Sequence, residues 1–209
     1  MTEIIVFIDD EKTSRLLYSA ALQDIYGEEY EVVAIPPDTT IAEMFTTLEK
    51  YESVVSIVID EKLHVEVGTD YKGSQLVEAI RITDNKLPLY ILTSEMGLIE
   101  PPFGSVEYII DKSKIEEEAY KTQLTLLMRR HINSFNEIKG WRAVRFDELL
   151  QKSVETGLTP EEQKEYSELD TLRIRQALAN EPIVPAGELD ERERMLEEIE
   201  NRLKALDQE

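Results

Sequence analysis

Asp9 and Asp10 follow an apolar run at residues 4–8, Asp60 follows one at 54–59, Thr93 and Ser94 follow 89–92, and Asp111 and Lys112 follow 106–110. Carboxylates brought together repel, and in a dry site some would be protonated unless a cation sat among them. Magnesium suits such a place. It prefers hard oxygen ligands in octahedral geometry at about 2.0–2.1 Å, commonly uses one or two protein carboxylates, and completes its shell with water and phosphate oxygens. A phosphoryl group bound there needs a cation on its other side and a hydroxyl donor, capacities that Lys112 and Thr93 have. A carboxylate facing the phosphorus can then act as nucleophile and form an acyl phosphate, because the ion neutralises the charge that opposes attack. Singly, each of these residues has a commoner use as helix cap, turn residue or surface charge. Their joint placement after four separate apolar runs is what points to a site.

The runs that would position them, with a further one at residues 32–35, are strand-sized, rich in Val and Ile, and nearly continuous, as strands buried on both faces of a parallel sheet are. Helical patterns lie between most of them. Leu16, Leu17, Ala20 and Ala21 mark the first, Ile41, Phe45 and Leu48 the second, and Leu76, Val77 and Ile80 the third. Strands alternating with helices predict right-handed crossovers and an open sheet covered on both sides, in which ligands bind beyond the carboxyl ends of the strands. Ser113 with Glu116 three residues on reads as a capping box, opening a helix through Leu124, Leu127 and Met128 to about Phe135. That closes a five-strand α/β unit near residue 137. Between Thr93 and Val106, two prolines and two glycines leave room for only a short or distorted fourth helix.

The whole chain has 209 residues, with 44 acidic against 23 basic side chains, a formal charge of −21, no cysteine and two histidines, His64 and His131. A strongly negative protein repels phosphate backbones and anionic membrane surfaces, which argues against nucleic-acid and membrane partners. Without cysteine there is no disulfide framework, thiolate zinc site, iron–sulfur cluster or cysteine nucleophile, and two histidines make a multi-histidine metal site an unfavoured reading. No apolar run approaches the roughly 20 residues of a membrane-spanning helix, and acidic residues come too early for a signal peptide. A soluble, cytoplasmic protein is expected.

The first 137 residues resemble a known family, the receiver domain of bacterial two-component response regulators, over roughly Thr2 to Phe135. Ile4-Ile5-Val6-Phe7-Ile8-Asp9-Asp10-Glu11 looks like the family's first strand with its acidic pair, and Val58-Ile59-Asp60 like the third strand ending in the phosphoacceptor. Leu89-Tyr90-Ile91-Leu92-Thr93-Ser94 resembles the fourth strand with its switch hydroxyl, Tyr108-Ile109-Ile110-Asp111-Lys112-Ser113 the fifth with its lysine, and Gly73 to Arg81 the start of the third helix. The resemblance implies a flavodoxin-like, doubly wound, five-stranded parallel α/β sheet. It also implies that Asp60 accepts the phosphoryl group, that Asp10 binds Mg2+ directly, and that Asp9 does so through water or by orienting the site. Lys62 would give its backbone carbonyl to the metal, Thr93 and Lys112 would hold the phosphoryl oxygens, and a sensor histidine kinase or phosphotransfer protein would supply the phosphoryl group.

Four departures from the family pattern stand out. The loop from Asp60 to Gly73 is long, with residues 63–71 a candidate flap or partner surface; the fourth helix is compromised; Ile109 stands where an aromatic switch is common, with Tyr108 adjacent on the other side of the strand; and Ser113 follows Lys112 in place of proline.

The remaining segment, 138–209, reads as a helical extension. Thr159-Pro160-Glu161-Glu162 combines an N-cap Thr, Pro at N1 and Glu at N3, predicting a helix over about 159–179, and residues 181–187 break it. Over 188–207, Leu189, Leu196 and Leu203 recur every seven residues, as do Arg192, Ile199 and Leu206, a short heptad seam for a coiled coil or a packed amphipathic helix. Residues 138–209 hold 11 basic and 18 acidic side chains, which argues against a winged-helix or helix-turn-helix DNA reader. A downstream protein partner, or self-association as a homodimer, is expected at Leu196, Ile199 and Leu203.

Two further functions compete with a phosphorylation switch: a phosphorylation-independent scaffold acting through the carboxyl-terminal helices, and a magnesium-dependent phosphohydrolase. The second is disfavoured because Lys62 stands where a dehalogenase-type phosphatase needs its second aspartate, so no enzyme activity beyond self-phosphorylation and slow self-dephosphorylation is expected. His131, the one candidate for a relay histidine, is expected on a solvated helix face.

Overall fold

The computed structural model describes residues 2–63, 68–96 and 105–180, the last seven without their side chains. The chain divides into two compact units, Met1–Ala179 and Asn180–Glu209. The elements below lie in the first, with α5 ending at the boundary.

β-Branched side chains suit a pleated, buried backbone, and the five Val- and Ile-rich runs form five strands. They are β1 (Glu3–Ile8), β2 (Tyr30–Ile35), β3 (Val54–Asp60), β4 (Leu89–Thr93) and β5 (Tyr108–Asp111). All pair in parallel, in the order β2-β1-β3-β4-β5. This is the flavodoxin-like receiver architecture. Among the described residues five helices accompany the sheet: α1 (Lys12–Tyr26), α2 (Ile41–Leu48), α3 (Gly73–Thr83), α4 (Glu118–Glu155) and α5 (Pro160–Asn180). The chain leaves β1 for β2 on one side and returns to β3 on the other, so the carboxyl ends of β1 and β3 flank the crevice where the connections diverge.

Val6, Phe7, Ile8, Val58, Ile59, Leu89, Tyr90, Ile91 and Leu92 are fully shielded from solvent. Burial of each such aliphatic or phenylalanine side chain contributes about 1.5–3 kcal/mol, which holds the strands in place. In α3, Leu76, Val77 and Ile80 are buried as their spacing predicts, and Ile41, Phe45 and Leu48 of α2 pack against the core around buried Met44.

Helix α1 corrects the expected pattern. Leu16 and Leu17 are 69% and 57% exposed and Ala20 is also outside, whereas Ala21, Leu22, Ile25 and Tyr26 are buried, with Tyr18 packed against the core. Positions 18, 21, 22, 25 and 26 follow the 3.6-residue period, and Leu16 and Leu17 fall off that stripe.

The capping box expected at Ser113 is also replaced. Ser113 instead gives its backbone N–H and hydroxyl to Asp111 Oδ1, at 2.9 and 2.6 Å, in a turn that follows β5. The helix begins at Glu118 and continues past the expected end at Phe135 to Glu155, crossing residue 137 without a break. Beyond it, Phe146, Leu149 and Leu169 form a second small core with Leu158 and Tyr166, joining α4 to α5. The helix start at Thr159 follows the sequence reading: Glu162 N–H donates to Thr159 Oγ1 at 3.3 Å and Thr159 N–H to Glu162 Oε2 at 2.9 Å. His131 is not on a solvated face. It is half-buried, hydrogen-bonded through Nδ1 to the Tyr90 hydroxyl at 2.9 Å and stacked on that ring.

The expected fourth crossover falls largely on residues 97–104, the candidate flap partly on 64–67, and the linker and heptad seam on 181–209, all outside the described residues. No described helix is long and apolar enough to cross a membrane.

Candidate functional site

Strand register assembles the site. Ile8 lies opposite Ile59, so one residue further Asp9 comes level with Asp60 at the carboxyl edge. Thr93 pairs with Asp111, and Lys112 N–H donates to the Thr93 carbonyl at 2.9 Å, which brings the lysine in beside the threonine. Asp9, Asp10, Asp60 and Thr93 are all buried, at 0, 1, 7 and 3% exposure, although charged and hydroxyl groups ordinarily seek water.

Lys112 ties the edge together. Its ammonium lies 3.0 Å from Asp9 Oδ2 and 3.0 Å from Asp60 Oδ1. Asp9 Oδ1 accepts a further hydrogen bond from Glu11 N–H at 2.9 Å, so both oxygens of Asp9 are engaged. Burial pushes the Asp60 carboxyl up to about 6, against the pull of Lys112 and with the help of the charges of Asp9 and Asp10. Asp9 is raised by burial too, Lys112 again opposing. Burial alone would pull Lys112 down, but the carboxylates of Asp60 and Asp9 outweigh it and hold the ammonium above its ordinary range.

The donor set fits a hard divalent ion. Asp9, Asp10 and Asp60 each offer a carboxylate oxygen, all within 4.8 Å of one another. Octahedral ligands at 2.0–2.1 Å stand about 3 Å apart when adjacent and about 4 Å when opposite, so shifts under about 1 Å would seat them. A cation there would also relieve the repulsion that burial amplifies.

Several residues that hold this site are not evident from sequence reasoning. Arg15 of α1 donates through one guanidinium nitrogen to the carbonyls of Asp9 and Asp10, at 2.5 and 2.7 Å. Glu61 accepts from the backbone N–H and the hydroxyl of Ser74, at 2.9 and 3.0 Å, which anchors the amino end of α3 beside Asp60. At Gly73 a Cβ would stand 2.2 Å from the Asp60 carbonyl oxygen, so only glycine permits α3 to start against the Asp60 backbone. The isolated glycine after a long loop is the signal that marks such a close approach; Arg15 and Glu61 carry none.

Thr93 and Lys62 sit at the rim in different ways. The Thr93 hydroxyl accepts from Glu95 N–H at 3.0 Å, which links it to its own loop. Lys62 is half exposed, and its ammonium pairs with Glu95 at 2.6 Å across the mouth between the β3 and β4 loops. On the edge strand, Ile109 packs against the core, and Tyr120 Oη accepts from Asp111 N–H at 3.0 Å.

No protein-family model matches the chain, and no curated protein matches its sequence. Among solved structures, the signal receiver domain of an HD-domain-containing protein from Pseudomonas fluorescens is similar over 66% of this chain and 93% of its own, at 14% identity and a TM-score of 0.50. NtrX from Brucella abortus is similar over 78% of this chain but only 33% of its own length, at 16% identity and a TM-score of 0.50. At these identities the likeness concerns the fold, and the fold is that of response regulator receiver domains.

Proposed function

We propose that this protein is a two-component response regulator in which residues 1–137 form a phosphoryl-accepting receiver and residues 138–209 a helical extension that passes the signal to a protein partner. One observation carries the reading: a single, half-buried ammonium, Lys112, lies 3.0 Å from both Asp9 and Asp60 at the carboxyl edge of a receiver-fold sheet.

Asp60 is the phosphoacceptor. One of its carboxylate oxygens bonds to phosphorus while the bond from phosphorus to the donor breaks, and the electron pair leaves with the donor, the imidazole of a sensor kinase or phosphotransfer protein. Lys112 gives hydrogen bonds to the phosphoryl oxygens in place of its present bond to Asp60, and Thr93 turns its hydroxyl proton toward them. Asp10 and Asp60 would hold Mg2+ through their carboxylates and Lys62 through its backbone carbonyl. Asp9, both of whose oxygens are already hydrogen-bonded, orients the set or reaches the ion through water. Bound there, Mg2+ neutralises the charge that opposes attack on phosphorus. Drawing Thr93 toward a phosphoryl oxygen competes with its bond from Glu95 N–H, so the β4 loop is the first segment to feel the change.

The output is a change of protein contacts in the cytoplasm, through the extension and including homodimerisation along its heptads, with no chemistry beyond self-phosphorylation and slow self-dephosphorylation. Incubation with a labelled small acyl-phosphate donor and magnesium should label the wild-type chain and leave Asp60→Asn unlabelled. Equal labelling of the two would overturn the assignment.

A further inference from the structure

The acidic site contains an aromatic ring that the chemistry above does not use. Lys112 Nζ lies 5.0 Å from the centroid of the Tyr18 ring, within the roughly 6 Å over which the negative face of an aromatic ring attracts a cation. The lysine side chain is only 13% exposed, so the contact is made largely away from bulk water, where such an attraction is strongest. Tyr18 stands on α1 three residues after Arg15, on the same helix face. One face of α1 therefore fastens the carbonyls of Asp9 and Asp10 and also presents a ring to the ammonium between Asp9 and Asp60.

An ammonium has three N–H donors and no preferred acceptor geometry of its own. Asp9 Oδ2 and Asp60 Oδ1 hold it at 3.0 Å each. When a phosphoryl group arrives on Asp60, the ammonium must transfer a hydrogen bond from the carboxylate to a phosphoryl oxygen while staying over the site. A ring face steadies the charge without competing as a strong hydrogen-bond acceptor. Its attraction persists when the acceptors are exchanged.

We propose that Tyr18 is a positioning residue whose ring face keeps the Lys112 ammonium seated between Asp9 and Asp60, ready to meet a phosphoryl group on Asp60. This role rests on the phosphoryl-switch reading; the seating of the ammonium by the ring does not.

The full chain is compared with Tyr18→Phe, Tyr18→Leu and a variant with a heavily fluorinated phenylalanine at position 18, which keeps the ring's shape and removes its negative face. In the metal-free protein, ring-current shifts of the Lys112 side-chain NMR signals report the seat. With magnesium present, titration with beryllofluoride, a phosphoryl mimic, reports its use. Phenylalanine should retain the wild-type Lys112 signals and bind the mimic within about twofold of wild type, whereas leucine and the fluorinated ring should each bind about fivefold more weakly. Wild-type binding by the leucine variant, or a loss with phenylalanine as large as with leucine, would overturn the role. If the leucine variant does not fold, the fluorinated ring decides in the same way, and binding equal to that of phenylalanine overturns the role. Should the wild-type chain itself not bind beryllofluoride, the phosphoryl reading and the role of Tyr18 in it both fall. The Lys112 signals in the metal-free variants then still show whether the ring seats the ammonium, so the two failures are told apart.

Discussion

The two edges of the sheet carry buried charge in opposite ways. At the amino edge, Arg81 donates both to the Glu107 carboxylate, at 2.6 and 2.7 Å, and to the carbonyls of Leu87 and Ser105, while Glu107 also accepts from Leu89 N–H. One cation meets one anion, and the remaining polar capacity is spent on nearby backbone. At the carboxyl edge the carboxylates of Asp9 and Asp60 share the one ammonium of Lys112, with Asp10 beside them, and the Arg15 guanidinium is given to backbone carbonyls. The first arrangement is complete as it stands and reads as structural. The second holds surplus negative charge in a dry place, which costs stability and is relieved by a cation, so it reads as a site.

Matched carboxylate-to-amide substitutions should split these edges by sign. Glu107→Gln leaves the Arg81 guanidinium, only 12% exposed, without its counter-charge, and should destabilise the protein by about 2–3 kcal/mol, read as a lower midpoint in chemical unfolding. Asp60→Asn should do the reverse in metal-free buffer, stabilising by about 1–3 kcal/mol above neutral pH. The sign follows from linkage. Asp60 titrates near 6 in the folded chain against 3.8 for an ordinary aspartate, so the folded state binds the proton more tightly, and stability falls as pH rises from about 4 to about 6. The advantage of Asp60→Asn over wild type should therefore be small at pH 4 and full above pH 7. If both substitutions destabilise at pH 7.5, the contrast between the edges fails.

A smaller effect comes from the metal itself. Magnesium at tenfold excess over its dissociation constant should stabilise the wild-type chain by about 1.4 kcal/mol. The gain should shrink at pH 5, where Asp60 holds a proton that the metal must displace. It should be lost in Asp10→Asn and kept in Glu107→Gln. Stabilisation equal at pH 5 and pH 8, or kept in Asp10→Asn, would move the ion away from this edge.

Much of this was legible before the fold because strands buried on both faces are written as continuous apolar runs, and in a parallel sheet the residue just after such a run must stand at the carboxyl edge. Asp9, Asp10, Asp60, Thr93 and Lys112 needed nothing more. Helices were harder. In α1 the side chains of Leu16 and Leu17 face solvent, and only the period through Tyr18, Ala21, Leu22 and Ile25 tells which stripe is buried. The length of α4 turned on Phe146 and Leu149, whose partner Leu169 lies in another helix. Contacts between chemically different groups on distant elements, such as Tyr18 with Lys112 or Tyr90 with His131, leave no periodic trace in the sequence.

The most direct measurement is to locate the phosphoryl group. After incubation with a small acyl-phosphate donor and magnesium, borohydride reduction of the acyl phosphate and peptide mass spectrometry should mark Asp60 alone, with the mark absent when a chelator removes the metal. Reduction at any other carboxylate, or an unmodified chain in full magnesium, would contradict the reading of this edge as a phosphoryl-accepting site.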